Sequence, residues 1–460
     1  MRADGGFLKC MRLLRLLALL STCVASLAAG SKPNILVILS DDQGYNDVGF
    51  NGGKAVPTPN LDALAASGVR CTSGYVSHPF CSPTRAGMLT GRYQQRFGHE
   101  NNPAYNPADA AAGLPLTEKL LPQFLKEAGY KTGWIGKWHL GATPAHTPWA
   151  RGFDQTYGFI GGGHSYSDWA IDLKKEYNVP LTRDSQATTE VPAHLTAAFG
   201  KEAAAFITRN AGAPWMLYVA FNAPHTPHMP TVEREKQFAD VKDPVRRKCL
   251  AQISLLDDSI GTITKALAAS GQTQDTLIFF FSDNGGTPPS LGADNTPLRG
   301  NKGLVYDGGI RVPFVVSWPA QLKAGSTYDQ PVSSLDVAAT ALSLAGVAFP
   351  AERKLDGVNL IPFLKGEAAG LPHANLFWRT GGGQSYAVRS GNWKLVRAGK
   401  QPDELYDLSS DIAEAKNLVA AQPDVAARLA ADLSAWNKEL IAPLFESPRA
   451  GKAAAKKAKK

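Results

Sequence analysis

Short apolar runs recur along the chain, and each stops on a polar turn. Asn34 to Ser40 after Lys32-Pro33, Trp215 to Phe221 and Thr276 to Phe281 show no alternation. Unbroken runs of this length predict strands buried on both faces. Val69 to Tyr75, Tyr130 to Ile135 and Val312 to Ser317 read as further short strands. Between them the period changes to that of helices. Thr58 to Ala65 puts Leu61, Leu64 and Ala65 on one face, and Thr117 to Ala128 does the same with Leu120, Leu121, Phe124, Leu125 and Ala128 before Gly129. His194 to Asn210, Val245 to Ser270 and Ser334 to Leu344 continue the series. Asp257 and Asp258 interrupt the second of these and read as solvated or capping groups.

From about Pro372 the pattern is different. Ala374 to Thr380, Ser385 to Ser390, Lys394 to Arg397 and Glu404 to Asp407 alternate and are parted by glycine turns, and Pro423 to Ile441 follows as a helix. The expectation is an α/β fold, a large mixed and mostly parallel sheet sandwiched by helices over residues 31–371. A small antiparallel sheet with one helix follows over 372–447. Residues 448–460 are Ala/Lys low complexity and read as a disordered basic tail.

The ends also explain the charge. The formal net charge is +8, yet Arg2, Lys9, Arg12 and Arg15 against Asp4 and the lysines from Lys452 onward account for all of it. With a neutral body, a nucleic-acid footprint is not expected. Residues 1–30 combine a basic start, an apolar run from Leu13 to Leu20 continuing through Val24 to Ala29, and small residues at Ser26, Ala28 and Gly30. That is the pattern of a secretory signal peptide, so the protein is expected to be secreted or periplasmic without stable membrane insertion. A lipoprotein reading through Leu20-Ser21-Thr22-Cys23 fits less well, because the apolar run passes Cys23. Of five cysteines, Cys10 and Cys23 leave with the signal. Cys71 and Cys249 read as separate buried thiols rather than a pair.

The candidate chemistry follows the strands. Asp41-Asp42, Lys137 with His139, His225, and Asp283-Asn284 each come directly after a predicted strand. In α/β sheets ligands sit beyond the carboxyl ends of the strands, so these clusters are expected on one rim. Three carboxylates and an amide oxygen are hard ligands that suit Ca²⁺, with Mg²⁺ second. Cys81 stands before the helix-compatible run Ala86 to Leu89 with Arg85 four residues on, which places a soft nucleophile near a helix N-terminus where positive charge would gather.

The string Cys81-Ser82-Pro83-Thr84-Arg85-Ala86-Gly87-Met88-Leu89-Thr90-Gly91-Arg92 resembles the signature of the formylglycine-dependent sulfatases of the alkaline phosphatase superfamily. The resemblance implies that Cys81 is oxidised to formylglycine by a formylglycine-generating or sulfatase-maturating enzyme. It implies Asp41, Asp42, Asp283, Asn284 and residue 81 as calcium ligands, and Arg85, Lys137, His139, His225 and Lys302 as active-site cations and histidines. The implied activity is hydrolysis of sulfate monoesters. In His225-Thr226-Pro227-His228 either histidine can serve as general acid, with His225 taken first. Secretion and polar positions at His99, Glu100, Asn102 and His164 suggest a sulfated carbohydrate substrate, with His228 a further candidate contact, and Arg96-Phe97-Gly98-His99-Glu100-Asn101 resembles sulfatases acting on galactose-type 6-sulfates and algal galactans. Two rivals remain: a phosphodiesterase or phosphonate monoester hydrolase on the same scaffold, and a glycan-binding protein whose Cys81 is never modified.

Overall fold

A computed structural model describes residues 32–167 and 175–446. The signal-peptide reading, with Cys10 and Cys23, and the basic tail fall outside the described residues. The strand Asn34–Ser40 is wholly buried. It pairs in parallel with Trp215–Ala220 on one side and Thr276–Ser282 on the other. Lys131–Lys137 and then Gln155–Phe159 extend the parallel block. Phe314–Ser317 joins antiparallel at the other edge, followed by Val69–Cys71 and Ser326–Tyr328, and the sheet has ten strands among the described residues.

An unbroken apolar strand feeds two cores because successive side chains point to opposite faces. Leu36, Ile38, Leu217, Val219, Ile278 and Phe280 pack with the helices Leu195–Arg209 and Pro244–Ala269. Ile35, Val37, Leu39, Met216, Phe279 and Phe281 face Met88, Leu125 and Leu342 on the other side. The result is the expected sandwich, and every strand of the parallel block ends on the same rim.

The C-terminal sheet runs Leu376–Thr380, Ser385–Ser390, Trp393–Arg397, Glu404–Asp407, all antiparallel. Val388, Leu395 and Leu405 meet Leu429, Leu433 and Trp436 of the helix Pro423–Asn437. Trp378, Ala387, Val396 and Tyr406 belong to the main core instead. The Trp378 indole donates to the Val76 carbonyl at 2.7 Å, just upstream of Cys81. The small sheet is thus docked on the segment that carries the candidate nucleophile.

Several elements depart from the sequence reading. The helix expected over Thr117 to Ala128 covers only Leu121–Glu127, because Pro122 has no N–H and belongs in a first turn. Val69 to Tyr75 divides into Val69–Cys71 and Gly74–Tyr75, the second pairing with Val332–Ser333 outside the large sheet. Gln155–Phe159 is a strand with no apolar run to announce it. The last helix ends at Asn437; Ile441 and Leu444 donate instead to the carbonyls of Gln95 and Gly98. Of the two readings of Asp257, solvated or capping, the second holds: it is buried and caps the helix Pro59–Ala66, accepting from the backbone N–H groups of Asn60 and Leu61. Cys71, Cys81 and Cys249 are free and buried. Among the described residues no helix is long and apolar enough to cross a membrane.

Candidate active site

Cys81 opens the helix Cys81–Thr90. Phe80 before it is extended (φ -133°, ψ 152°), and Gly91 ends it in the left-handed region at φ 68°. Pro83 sits in the first turn, where a missing N–H leaves no helical bond unmade. Arg85, one turn on, shares the face of Cys81. Its Nε and Nη2 donate to Asp283 Oδ2 at 3.0 and 2.7 Å, and Nη1 donates to the Lys137 carbonyl at 3.0 Å.

The rim assembles as the strand ends predict. Oxygens of Asp41, Asp42 and Asp283 and the Cys81 sulfur all lie within 4.8 Å of one another, every residue buried. Asp42 reaches this position with φ 64°. Close approach of the loops behind it needs glycine: a Cβ on Gly286 would lie 2.7 Å from Gly44 Cα. Lys137 Nζ is 2.6 Å from Asp41 Oδ2, and Lys302 Nζ is 2.6 Å from Asp42 Oδ1 and 3.2 Å from Cys81 Sγ. Asn284 Nδ2 donates to Asp42 Oδ1 at 2.7 Å, while its Oδ1 is buried with no partner. A buried amide oxygen beside three carboxylates is what a hard cation's shell would use, and the donor set fits Ca²⁺.

Electrostatics sort these groups. Burial raises the Asp42 carboxyl, but Lys302, His225 and the Asn284 amide outweigh it and hold it below the usual carboxylate range. Asp283 moves the other way, raised by burial and by Asp41 despite Arg85. Burial, then Asp283, pushes the Cys81 thiol up to about 12, against the pull of Lys137 and Lys302. The gathering of positive charge expected around this sulfur is therefore matched by carboxylates, and an unmodified Cys81 is a protonated thiol at neutral pH.

The histidines separate. His225 Nε2 lies 3.7 Å from Asp42 Oδ2, and its Nδ1–H donates to the Thr226 carbonyl at 2.5 Å. Burial, opposed by Asp42, brings it to about 3. His228 instead turns Nε2 to the Leu291 carbonyl at 3.0 Å. His139, at φ 61°, is lowered by burial and by Lys137, and its Nδ1 is buried without a partner.

The other candidate contacts are engaged in structure. Glu100 receives Arg379 Nη2 at 2.7 Å and the Gly382 N–H at 2.9 Å, joining this loop to the C-terminal sheet. His99 Nε2 is 2.6 Å from Ser82 Oγ, whose hydroxyl also reaches the His139 carbonyl at 2.6 Å. Asn102 Oδ1 accepts from the Ser82 N–H at 3.0 Å, and both His164 ring nitrogens face backbone carbonyls. Sequence reasoning passed over Tyr218, whose hydroxyl accepts from Arg85 Nη1 at 3.3 Å, and Tyr166, whose hydroxyl donates to the His225 carbonyl at 2.9 Å. Each is a polar tip amid apolar or glycine-rich neighbours, a faint signal.

Residues 33–347 match the sulfatase family model, and residues 300–439 match the model described as N-sulphoglucosamine sulphohydrolase, C-terminal. The mouse N-acetylgalactosamine-6-sulfatase is 37% identical over 77% of this chain and 71% of its own. An uncharacterized sulfatase, YdeN, of Escherichia coli K12 is 31% identical over 76% and 69%. The crystal structure of Ps i-CgsB in complex with k-i-k-neocarrahexaose superposes with a TM-score of 0.85 at 35% identity, covering 90% of this chain and 94% of that one. A phosphonate monoester hydrolase from Silicibacter pomeroyi shares the fold, with a TM-score of 0.66 at 21% identity over 89% of this chain and 96% of that one. Fold and site thus define an esterase of the alkaline phosphatase superfamily. Within it the chain belongs to the sulfatase family, and it is a sulfuric ester hydrolase.

Proposed function

We propose that the protein is a secreted or periplasmic sulfatase that cleaves sulfate monoesters of carbohydrates, using formylglycine made from Cys81 by a maturation enzyme and Ca²⁺ held by Asp41, Asp42, Asp283, Asn284 and residue 81. The observation that carries this reading is the meeting of three buried carboxylates and the unpartnered Asn284 Oδ1 with Cys81 at one point on the rim. When present, the hydrated aldehyde supplies an attacking oxygen and an exit for sulfate, and the calcium ion supplies Lewis-acid charge.

The chain's own groups do the rest. Arg85 fixes Asp283 and orients it toward residue 81, where it accepts a proton. Lys137 and Lys302, each already 2.6 Å from a carboxylate of the cluster, hold the sulfate oxygens. His225 commits Nδ1–H to Thr226, so Nε2 is the atom that carries a proton to the leaving alcohol. Burial disfavours that cation, and the negative charge of a bound ester restores it. His139, neutral with a free Nδ1, takes the proton that lets residue 81 return to the aldehyde.

The carbohydrate assignment rests on similarity to the N-acetylgalactosamine-6-sulfatases and to the neocarrahexaose complex, with the string from Arg96 to Asn101 favouring galactose-type sugars. Release of sulfate from a panel of sulfated mono- and oligosaccharides and aryl sulfates, and of the alcohol from phosphonate and phosphate esters, tests it. Turnover of sulfated saccharides above the others is expected. Activity confined to aryl sulfates, or to the phosphorus esters, would overturn the substrate assignment.

A further inference from the structure

Lys302 lies on a loop without regular structure, yet its ammonium has to meet Asp42 and residue 81 within a few tenths of an ångström. Its own N–H donates to the Gly286 carbonyl at 2.9 Å, and the next, of Gly303, to the Pro79 carbonyl at 2.9 Å. Behind it the loop folds onto the turn that follows. Gly308 N donates to the Arg299 carbonyl at 2.7 Å, and a Cβ on Gly308 would lie 2.3 Å from the Gly300 carbonyl oxygen. A Cβ on Gly285, beside Asn284, would lie 1.9 Å from the Gly308 carbonyl oxygen. These backbones are stacked without room for a methyl group, so displacing the turn displaces Lys302.

The turn is held by a buried ion cluster that the reaction does not use. Asp307 Oδ1 meets Lys394 Nζ at 2.6 Å, and its Oδ2 receives the Tyr75 hydroxyl at 2.8 Å. Lys394 Nζ lies 2.8 Å from Glu414 Oε1. Glu414 grips both ends of the Lys302 loop: its Oε2 accepts from the Asp307 N–H at 2.7 Å, and its backbone carbonyl accepts from Arg299 Nη1 at 2.9 Å. Asp307, Lys394 and Glu414 have no exposed surface, and Glu414 sits at φ 49°, a region costly for a residue with a Cβ. Buried charge clusters are poor sources of stability compared with apolar packing, and what this one does hold is position, through its bonds to Asp307 and Arg299 on either side of the Lys302 loop.

We propose that Glu414, with Lys394 and Asp307, is a positioning clasp through which the C-terminal sheet sets Lys302 to receive the sulfate group. The proposal rests on Lys302 binding sulfate. It makes the small sheet and the loop after it part of the catalytic apparatus, although Glu414 touches no reacting atom.

The test is calorimetric binding of inorganic sulfate to the full-length enzyme and to Glu414→Ala, Lys302→Met and the double variant, with denaturation midpoints measured alongside. Glu414→Ala is expected to weaken sulfate about tenfold, and to have little further effect once Lys302 is gone, as expected for residues that act through one another. Glu414→Gln, which keeps the acceptor for Asp307, is expected to recover most of the affinity. Should Glu414→Ala not fold, Glu414→Asp withdraws the carboxylate from the Asp307 N–H while keeping the charge, and the same weakening is expected. A lowered midpoint with unchanged sulfate affinity, or an equal loss with and without Lys302, overturns the clasp. Unchanged affinity in Lys302→Met overturns instead the role of Lys302 on which the clasp depends.

Discussion

Replacing Arg85 with methionine removes the group that makes a buried Asp283 tolerable. The guanidinium and the carboxylate are both fully buried, with contacts of 2.7 and 3.0 Å to one oxygen. Asp283 is already raised by burial and by Asp41, so without Arg85 it loses its ion-pair contact and keeps only the more distant charge of Lys137 and the Asp42 N–H at 3.3 Å beside the carboxylates of Asp41 and Asp42. Breaking a buried pair from one side costs about 3 to 5 kcal/mol, against about 0 to 1 kcal/mol for an exposed pair. Asp283→Asn in the same chain removes the orphaned charge, so the two substitutions are expected to couple by about 1 to 3 kcal/mol. The assay is urea unfolding in chelator-containing buffer, followed by tryptophan fluorescence and far-UV circular dichroism together so that coincident transitions license the free energies. A loss for Arg85→Met within about 1 kcal/mol of wild type, or strict additivity in the cycle, would refute the reasoning.

Other outcomes follow from the same structure. Removing divalent ions with a chelator is expected to abolish activity, Ca²⁺ is expected to restore it before Mg²⁺, and saturating Ca²⁺ at about a hundredfold over Kd raises stability by about 2.7 kcal/mol. His373 Nε2 lies 2.9 Å from Asp336 Oδ1, and although burial pulls its pKa down, Asp336 raises it above the ordinary value. A raised histidine stabilises fully below its unfolded pKa of about 6.5 and ceases to as pH rises through the folded value. The stability difference between wild type and His373→Gln is therefore expected to be largest at acidic pH and to shrink toward alkaline pH, measured as denaturation midpoints. Cys71 and Cys249 are separate buried thiols, so a reductant is expected to leave the midpoint unchanged, and a drop would show a disulfide.

The sequence disclosed the parallel block and its rim because both are written locally. An unbroken run such as Thr276 to Phe281 is a buried strand wherever it pairs, and Asp283 falls at its end whatever lies next to it. What it did not disclose depends on partners far along the chain. Glu100 reads as a candidate substrate contact until Arg379, 279 positions away, takes it. Asp257 reads as a solvated or capping group, and that it caps another helix, whose start lies 196 positions back, is set only by the fold. Gln155–Phe159 is a strand through its parallel register with Lys131–Lys137 and not through composition. The division between His225 and His228 is of the same kind, since nothing in the spacing states which ring faces Asp42 and which faces Leu291.

The chemistry turns on what residue 81 carries when the enzyme is at work. Mass analysis of the peptide containing Cys81, from active protein made in a host with the maturation enzyme, is expected to find an aldehyde in place of the thiol. Full activity in protein whose Cys81 is an intact thiol would contradict the account.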